Sequence, residues 1–181
     1  MSKKALILVA DGFQDEEYIY PYYRLLEAGY SVQVYPGGVG KYGIKAIQSA
    51  TSINVMIKSW DLPWDCLIIP GGWQSPEIVR QMPECISLVK AMNNMGRCVA
   101  AICHGPWVLS SAGILKGRRA TAYKGMKDDI INAGAHYEQT SVVIDGNIVT
   151  ADHYRNNGAF MAAVLDVTAK QHRDYKETHA L

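Results

Sequence analysis

Short, continuous apolar runs, each joined to a helical pattern, constrain the fold of this 181-residue chain more than any other feature. Lys4–Ala10, Cys66–Ile69 and Arg97–Ile102 are apolar almost throughout, which is typical of strands covered on both faces of a sheet. Asp15–Ala28 has the apolar spacing of an amphipathic helix and stops before Gly29. Strands that alternate with helices predict a mostly parallel, doubly wound sheet.

The same patterns predict the remaining elements and a single domain over residues 1–181. They are a strand at Tyr30–Tyr35, short strands and turns over Val39–Val55, a helix beginning at Ser75, helices at Glu84–Met95, His104–Ala112, Met126–Ala133 and Gly158–Gln171, and a hairpin at Val142–Thr150. The polar tail from His172 to Leu181 is expected to lie on the surface. The predicted architecture is a three-layer α/β/α sandwich.

Cys103 stands at the end of a predicted strand, directly before a predicted helix. The run from Ala101 to Pro106 predicts a sharp strand-to-helix turn, the geometry of a nucleophile elbow. A helix N-terminus favours a thiolate, so we expect a thiol pKa lowered toward neutrality. The backbone N–H of His104 would donate to an oxyanion, with a second donor from Gly71-Gly72. Cys66 and Cys98, in or beside apolar strands, are predicted to be ordinary buried thiols.

Charge and pattern argue against several classes of function. The net charge is +1, which gives no electrostatic footprint for nucleic acid or an anionic membrane. No apolar run is long enough to span a bilayer, and no secretion signal is evident, so a reducing cytoplasm is expected. The histidines are scattered, which predicts no metal site. Gly38–Gly43 matches a dinucleotide-binding glycine pattern but follows the second strand, so we expect no cofactor there.

Four separated blocks together resemble one family. They are Asp15–Pro21, Ile69–Gly72 followed by Ser75–Glu77, Ala101–Pro106 and Tyr123–Asp129. On these residues the chain resembles the PfpI-type intracellular cysteine peptidases and amidases. They belong to the DJ-one/PfpI superfamily of glutamine amidotransferase-like proteins, which includes a parkinsonism-associated deglycase. The resemblance implies a flavodoxin-like sheet with a cysteine elbow, no cofactor, and a homodimer or a larger homo-oligomer such as a hexamer.

The resemblance also implies roles for individual residues. Cys103 matches the nucleophile, and Glu17 matches the glutamate that contacts the thiol. Gly72 and His104 match the backbone oxyanion donors, and His104 also matches the base or orienting histidine. Glu77 matches an acid that completes a Cys-His-Glu triad across a subunit interface, and Tyr123 matches a tyrosine that lines the pocket. Each role has a structural alternative. Glu17 and Glu77 lie in first turns of predicted helices, where the helix dipole favours acids. The structural alternative for Tyr123, Trp73 and Trp107 is that they are packing residues, as aromatic side chains usually are.

One stretch departs from the family pattern. Relatives commonly carry Ser-Arg and then a Pro-Asp-Asp-Leu-like sequence after the late strand, whereas Ala151–Gly158 here reads Ala-Asp-His-Tyr-Arg-Asn-Asn-Gly. His153 either replaces a lost contact or is a plain surface histidine, and the second interpretation is favoured. Because this stretch shapes the pocket in relatives, it bears on the substrate.

Three hypotheses for function follow from these residues. The leading one is an enzyme that uses Cys103 to attack a small reactive aldehyde such as methylglyoxal, or a glycated protein, as a cofactor-free glyoxalase or deglycase. The second is a peptidase or amidase that forms a thioester and uses a Cys-His-Glu triad. The third is a stress-response protein in which an oxidisable Cys103 senses peroxide with a chaperone-like output.

Overall fold

Six strands form the main sheet of this computed structural model, which describes residues 3–50, 53 and 63–179, with side chains as far as Arg173. The strands are β1 (Lys3–Val9), β2 (Tyr30–Pro36), β5 (Cys66–Ile69), β6 (Cys98–Ile102), β9 (Val142–Asp145) and β10 (Ile148–Ala151). Their spatial order is β2-β1-β5-β6-β10-β9, and only the edge strand β9 runs antiparallel to its neighbour. The five parallel strands have the flavodoxin-like order, so the predicted fold class is confirmed.

Helices cover both faces of this sheet. They are α1 (Asp15–Glu27), α2 (Ser75–Arg80), α3 (Pro83–Asn94), α4 (Pro106–Ser111), α5 (Lys127–Asn132) and α6 (Asn157–His179). Side chains alternate across β1: Ile7 packs with α1 and α6 on one face, and Leu8 packs with α2 to α5 on the other. The continuous apolar runs of the sequence therefore fill two separate cores, one on each face.

Several elements differ from the sequence prediction. α6 continues to His179 instead of ending at Gln171, because no glycine or proline follows Gln171 to stop the helix. α4 begins at Pro106, two residues later than expected, because His104 belongs to the turn.

Two short strand pairs complete the described fold. β3 (Gly38–Val39) pairs with β4 (Lys45–Ala46), within the predicted region of short strands and turns. Thr51, Ser52, Asn54 and Val55, in the same region, lie outside the described residues. β7 (Arg119–Ala120) and β8 (His136–Tyr137) form a parallel pair that the sequence patterns did not predict, because two-residue strands carry no periodicity.

Candidate active site

Three neighbouring strands deliver the candidate residues to one edge of the sheet. Glu17 lies in the first turn of α1, after β1, and Gly71-Gly72 follows β5. Cys103 follows β6. Because β1, β5 and β6 are adjacent and parallel, their carboxyl ends meet at this edge, where open α/β sheets place their sites. The Gly71 N–H donates to Glu17 Oε2 over 2.7 Å and joins two of the three segments.

The backbone at Cys103 forms the predicted elbow. Its φ is +60°, and within the described residues no other non-glycine has a positive φ. Hydrogen bonds hold the turn on both sides: Cys103 N–H donates to Ala151 O over 2.9 Å, and Tyr123 N–H donates to Cys103 O over 2.9 Å. Gly105 has no room for a side chain, since a Cβ there would collide with the carbonyl oxygens of Ile69 and Ile102. The strained residue is therefore locked by its neighbours, as strain at functional sites usually is.

Two backbone N–H groups lie close enough to the Cys103 sulfur to act on its ionisation. They belong to Gly72 and His104, and both lower the pKa of the thiol by hydrogen bonding. Gly72 has a φ of +97°, and a Cβ there would lie 2.5 Å from Gly12 O, so glycine is required at this position. The two groups expected to act as oxyanion donors therefore lie together at the sulfur.

Glu17 is fully buried, and burial dominates its ionisation. Its pKa is raised to about 8, mainly by desolvation, against the opposing hydrogen bond from Gly71. Oε2 accepts the Gly71 N–H, whereas the buried Oε1 has no hydrogen-bond partner in the described part of the chain. A carboxyl with one accepting oxygen and one unpartnered oxygen is suited to carry its proton on Oε1. Glu17 is thus mostly neutral at neutral pH.

The expectation that Cys103 has a lowered pKa is wrong for this geometry. Burial raises the pKa of the thiol, and an ionised Glu17 beside it raises the pKa further. The N–H groups of Gly72 and His104 oppose these effects without outweighing them. The short α4 adds a terminus dipole, but desolvation is the largest cause of the shift, in a residue that is only 8% exposed. Formation of the thiolate therefore needs an adjacent proton acceptor.

His104 supplies such an acceptor. Its Nδ1 lies 3.2 Å from Cys103 Sγ, so the side chains of these two consecutive residues are in contact. Burial lowers the pKa of His104, and the Asp129 carboxylate opposes this shift, so the imidazole is mostly neutral at neutral pH. A neutral imidazole at this distance can take the thiol proton.

Aromatic rings surround the His104 imidazole. Tyr123 stacks on it with ring centroids 4.8 Å apart, and Trp107 meets it nearly edge-on at 5.3 Å. Trp73 lies parallel to it within 18°, at 6.2 Å. Tyr123, predicted to line the pocket, is thus adjacent to the candidate base, and the two tryptophans belong to the same cluster.

Glu77 is not brought to Cys103 within this chain. Its side chain, 53% exposed on α2, pairs with Arg80 over 3.7 Å. Arg80 donates to Ser111 Oγ and places its guanidinium over the Trp107 ring, at 5.7 Å from the centroid. The role of Glu77 in a triad across an interface remains an expectation. The sequence analysis did not single out Arg80. The only feature that could have indicated it is its position three residues after Glu77, on the same face of the helix.

The divergent stretch after β10 packs on the first turn of α1. His153 Nδ1 accepts the Arg155 N–H over 3.2 Å and caps a short 3₁₀ turn. Asn157, which the sequence analysis did not single out, is buried and donates to Glu16 O over 2.9 Å. The stretch therefore supports the turn that carries Glu17.

Within the described ranges, no helix is long and apolar enough to cross a membrane. The same residues contain no group of three histidine, cysteine or acidic side chains arranged to bind a metal ion.

Comparison with known proteins decides the family. The DJ-1/PfpI family profile matches residues 3–167. The chain belongs to the DJ-1/PfpI family. A deglycase of Pyrococcus abyssi is 44% identical over 151 residues, which cover 82% of this chain and 89% of that protein. The putative cysteine protease YraA of Bacillus subtilis is 40% identical over 152 residues, covering 83% and 89%.

A solved structure extends the comparison to the backbone. The crystal structure of a two-domain protein from Anabaena variabilis, with DJ-1/ThiJ/PfpI-like and ferritin-like domains, has a TM-score of 0.83 and 32% identity. It matches 91% of this chain and 47% of that one. The resemblance predicted from the four sequence blocks is confirmed. Within the DJ-1/PfpI family, one of these relatives is named for deglycation and another for proteolysis, so membership alone does not choose the reaction.

Proposed function

We propose that the protein is a cysteine-dependent enzyme that acts on reactive aldehydes and on their adducts with proteins, as a glyoxalase or deglycase without a cofactor. The observation that carries this proposal is the buried, mostly neutral Glu17 carboxyl beside the Cys103 thiol. A carboxyl at this position can move a proton between two adjacent carbons, which aldehyde isomerisation requires and acyl transfer does not. The deglycase name of the Pyrococcus abyssi relative supports the same chemistry.

The first step joins Cys103 to the aldehyde, here methylglyoxal. A bond forms between Sγ and the aldehyde carbon as the C=O double bond becomes a single bond. His104 Nδ1 takes the thiol proton, and Glu17 gives its proton to the new alkoxide, which yields a hemithioacetal. The N–H groups of Gly72 and His104 lie where they can stabilise developing negative charge.

The next steps move a hydrogen from one carbon to its neighbour. The Glu17 carboxylate takes the proton from the sulfur-bearing carbon while protonated His104 gives its proton to the neighbouring carbonyl oxygen, which yields an enediol. Glu17 then returns its proton to the second carbon, and His104 takes the proton of the first hydroxyl, which leaves a thioester of lactate. Water cleaves the C–S bond: one of its protons goes to Glu17, its hydroxyl joins the acyl carbon, and the sulfur regains a proton from His104. Lactic acid is released and loses its proton to the solvent, which gives lactate. Every group ends in its starting state.

A lactate assay tests the proposal. We expect the native protein to form lactate from methylglyoxal at least about 10³-fold faster than Cys103→Ala, because the covalent intermediate requires the sulfur. Cys98→Ala is the matched control, since it removes a cysteine from the other end of β6, and it should stay within about twofold of the native rate. Lactate formation no faster than in Cys103→Ala would overturn the proposal.

Peptide or amide hydrolysis is the second candidate. The 3.2 Å contact between Cys103 Sγ and His104 Nδ1 favours it, because a cysteine–histidine pair activates the nucleophile of cysteine hydrolases. The name of the Bacillus subtilis relative points the same way. A chromogenic peptide run beside the lactate assay distinguishes the two. Peptide turnover that depends on Cys103 but hardly on Glu17 would favour the hydrolase.

A further inference from the structure

The stretch from Ala151 to Asn157, which departs from the family pattern, is bonded at both ends to the candidate site. At its start, Ala151 O accepts the Cys103 N–H over 2.9 Å. At its end, Asn157 Nδ2 donates to Glu16 O over 2.9 Å, in the turn of α1 that carries Glu17. One short segment, which we call the brace, thus joins the backbone beside the thiol to the backbone beside the carboxyl.

Hydrogen bonds inside the brace hold its shape. Asn156 Nδ2 donates to Asp152 Oδ1 over 2.7 Å. His153 Nδ1 accepts the Arg155 N–H over 3.2 Å, and His153 O accepts the Asn156 N–H over 2.9 Å. The brace follows β10 and ends at the start of α6, and both of these elements contribute side chains to the same core. It can therefore act as a spacer of fixed length.

The first turn of α1 has few hydrogen bonds of its own. Gln14, at the N-cap, makes no side-chain capping bond within the described chain. Pro21, one turn after Glu17, has no N–H, so the Glu17 carbonyl lacks the donor that a helix normally supplies. Contacts from outside the helix therefore help to fix the turn. Among them are the bonds from the Tyr42 and Ile44 N–H groups to Asp15, from the Gly71 N–H to Glu17 Oε2, and from Asn157 Nδ2 to Glu16 O.

Asn157 reaches this turn from the side of the sheet that holds the thiol, because β10 lies beside β6. Asn157 is only 6% exposed, and its Oδ1 has no hydrogen-bond partner in the part of the chain that the structure describes. A buried, unpartnered amide oxygen is unfavourable for stability, and an apolar side chain at this position would avoid that cost. The bond made by Nδ2 is therefore the feature that an asparagine contributes here.

We infer that Asn157 is a positioning residue: by holding Glu16 O from the end of the brace, it sets the separation between the Glu17 carboxyl and the Cys103 sulfur. This inference deepens the proposed function and rests on it for the effect on turnover. Without the Asn157 amide, the first turn of α1 can move away from the end of β6, and Glu17 gains contact with solvent. The titratable groups that act on Glu17 are Cys103 across the site and Glu16 on the same helix, and both remain when Asn157 is changed.

The ionisation of Glu17 gives the first test, which needs no substrate. The side-chain carboxyl carbons of glutamate are labelled with carbon-13, the Glu17 resonance is assigned by its loss in Glu17→Gln, and its pKa is measured by NMR titration. The pKa is about 8 in the native protein. In Asn157→Ala it should fall to about 7 or lower, because better solvation favours the carboxylate. An unchanged pKa would overturn the inference.

Asn147→Ala is the matched control. Asn147 directly precedes β10, at the end of the strand opposite the brace, and its Nδ2 likewise donates to a backbone carbonyl, Arg97 O, over 2.9 Å. Because this bond is remote from the site, the pKa of Glu17 should stay within about 0.3 of the native value. Equal shifts in Asn147→Ala and Asn157→Ala would indicate a general loosening of the fold and would overturn the inference. If Asn157→Ala does not fold, Asn157→Ser, whose side chain is one bond shorter than the amide, takes its place with the same expectation.

Turnover gives the second test. With methylglyoxal, kcat should fall about 10- to 100-fold in Asn157→Ala while KM stays within about threefold, because the carboxyl is displaced and the bound substrate is not. Asn147→Ala should keep both constants within about twofold of the native values. A native kcat in Asn157→Ala would overturn the inference.

The two tests also separate this inference from the function on which it rests. If the pKa of Glu17 falls in Asn157→Ala but the native protein forms no lactate, the proposed function fails and the positioning role stands. If the native protein forms lactate and Asn157→Ala matches it in both pKa and kcat, the positioning role fails and the function stands.

Discussion

The two ends of β6 carry chemically identical buried side chains with different neighbours. Cys98 begins the strand, is fully buried, and faces its register partner Cys66. Burial raises the pKa of Cys98 to about 12. Cys103 follows the last residue of the strand, where the backbone turns and two N–H groups meet the sulfur. The comparison predicts that position at the carboxyl end of a parallel strand, rather than residue type, makes a cysteine available for chemistry.

Alkylation should reveal the largest difference between these two thiols. We expect iodoacetamide to modify Cys103 at least about 10³-fold faster than Cys98, because Cys98 is reached only when the structure opens. Peptide mass spectrometry after a time course at constant pH measures both rates in one sample.

The unfolded chain supplies the control for this experiment. In concentrated urea, where burial is lost, the two cysteines should react within about threefold of each other, since their intrinsic pKa values are then alike. Rates that differ little in the folded protein would contradict the comparison. They would mean that the buried start of β6 becomes exposed to solvent as readily as the candidate site does.

Glu17 accounts for the second difference, because Cys98 has no carboxyl beside it. Glu17→Gln keeps the size of the side chain and removes the exchangeable proton, so kcat for methylglyoxal should fall about 10²- to 10⁴-fold. Glu16→Gln, which alters the adjacent partly buried carboxyl, is the matched control and should lose less than about threefold. Lactate formation under saturating substrate measures both. A Glu17→Gln enzyme with nearly native kcat would remove Glu17 from the proton transfers.

Much of this site could be predicted from local sequence, because its parts lie at strand ends that the apolar runs define. Cys103 at an elbow follows from the order strand, cysteine, helix, and a second donor from Gly71-Gly72 follows from the end of the neighbouring strand, whereas the choice of Gly72 came from the family resemblance. The contact between Glu17 and the thiol came from the family resemblance and not from spacing, since the two residues are far apart in the chain. Their meeting depends on β1 and β6 flanking the same central strand.

The properties that the sequence could not predict arise from long-range packing. The direction of the Cys103 pKa shift depends on how much solvent the surrounding loops exclude, and local dipoles predicted the opposite sign. The exposure of Trp73 and the guanidinium of Arg80 on Trp107 depend on how α2 lies against α4. Neither arrangement leaves a periodic signal in the chain.

The smallest predicted effect is on stability, and it concerns the cost of keeping Glu17 beside the sulfur. In the folded protein, burial raises the pKa of Glu17 from 4.5 to about 8, so the carboxyl retains a proton that the unfolded chain releases. The unfolded state therefore binds fewer protons between these two values, and the free energy of unfolding must fall as pH rises through this window. Above about pH 8, Glu17 is ionised in both the folded and the unfolded state, and the free energy of unfolding stops falling.

Glu17→Gln cannot ionise and escapes this loss, so its free energy of unfolding should rise relative to that of the native protein by about 2 kcal/mol or more between about pH 5 and pH 8. Urea unfolding of both proteins at several pH values measures the difference, and Glu16→Gln, whose cysteines and fold are the same, should follow the native curve. Parallel curves for Glu17→Gln and the native protein would contradict a raised pKa. A variant whose stability rises in this way but which is far less active would show that the chain keeps a destabilising buried acid for its chemistry. Cys98, at the other end of β6, has no such carboxyl beside it, so this cost in free energy belongs to the Cys103 end of the strand alone.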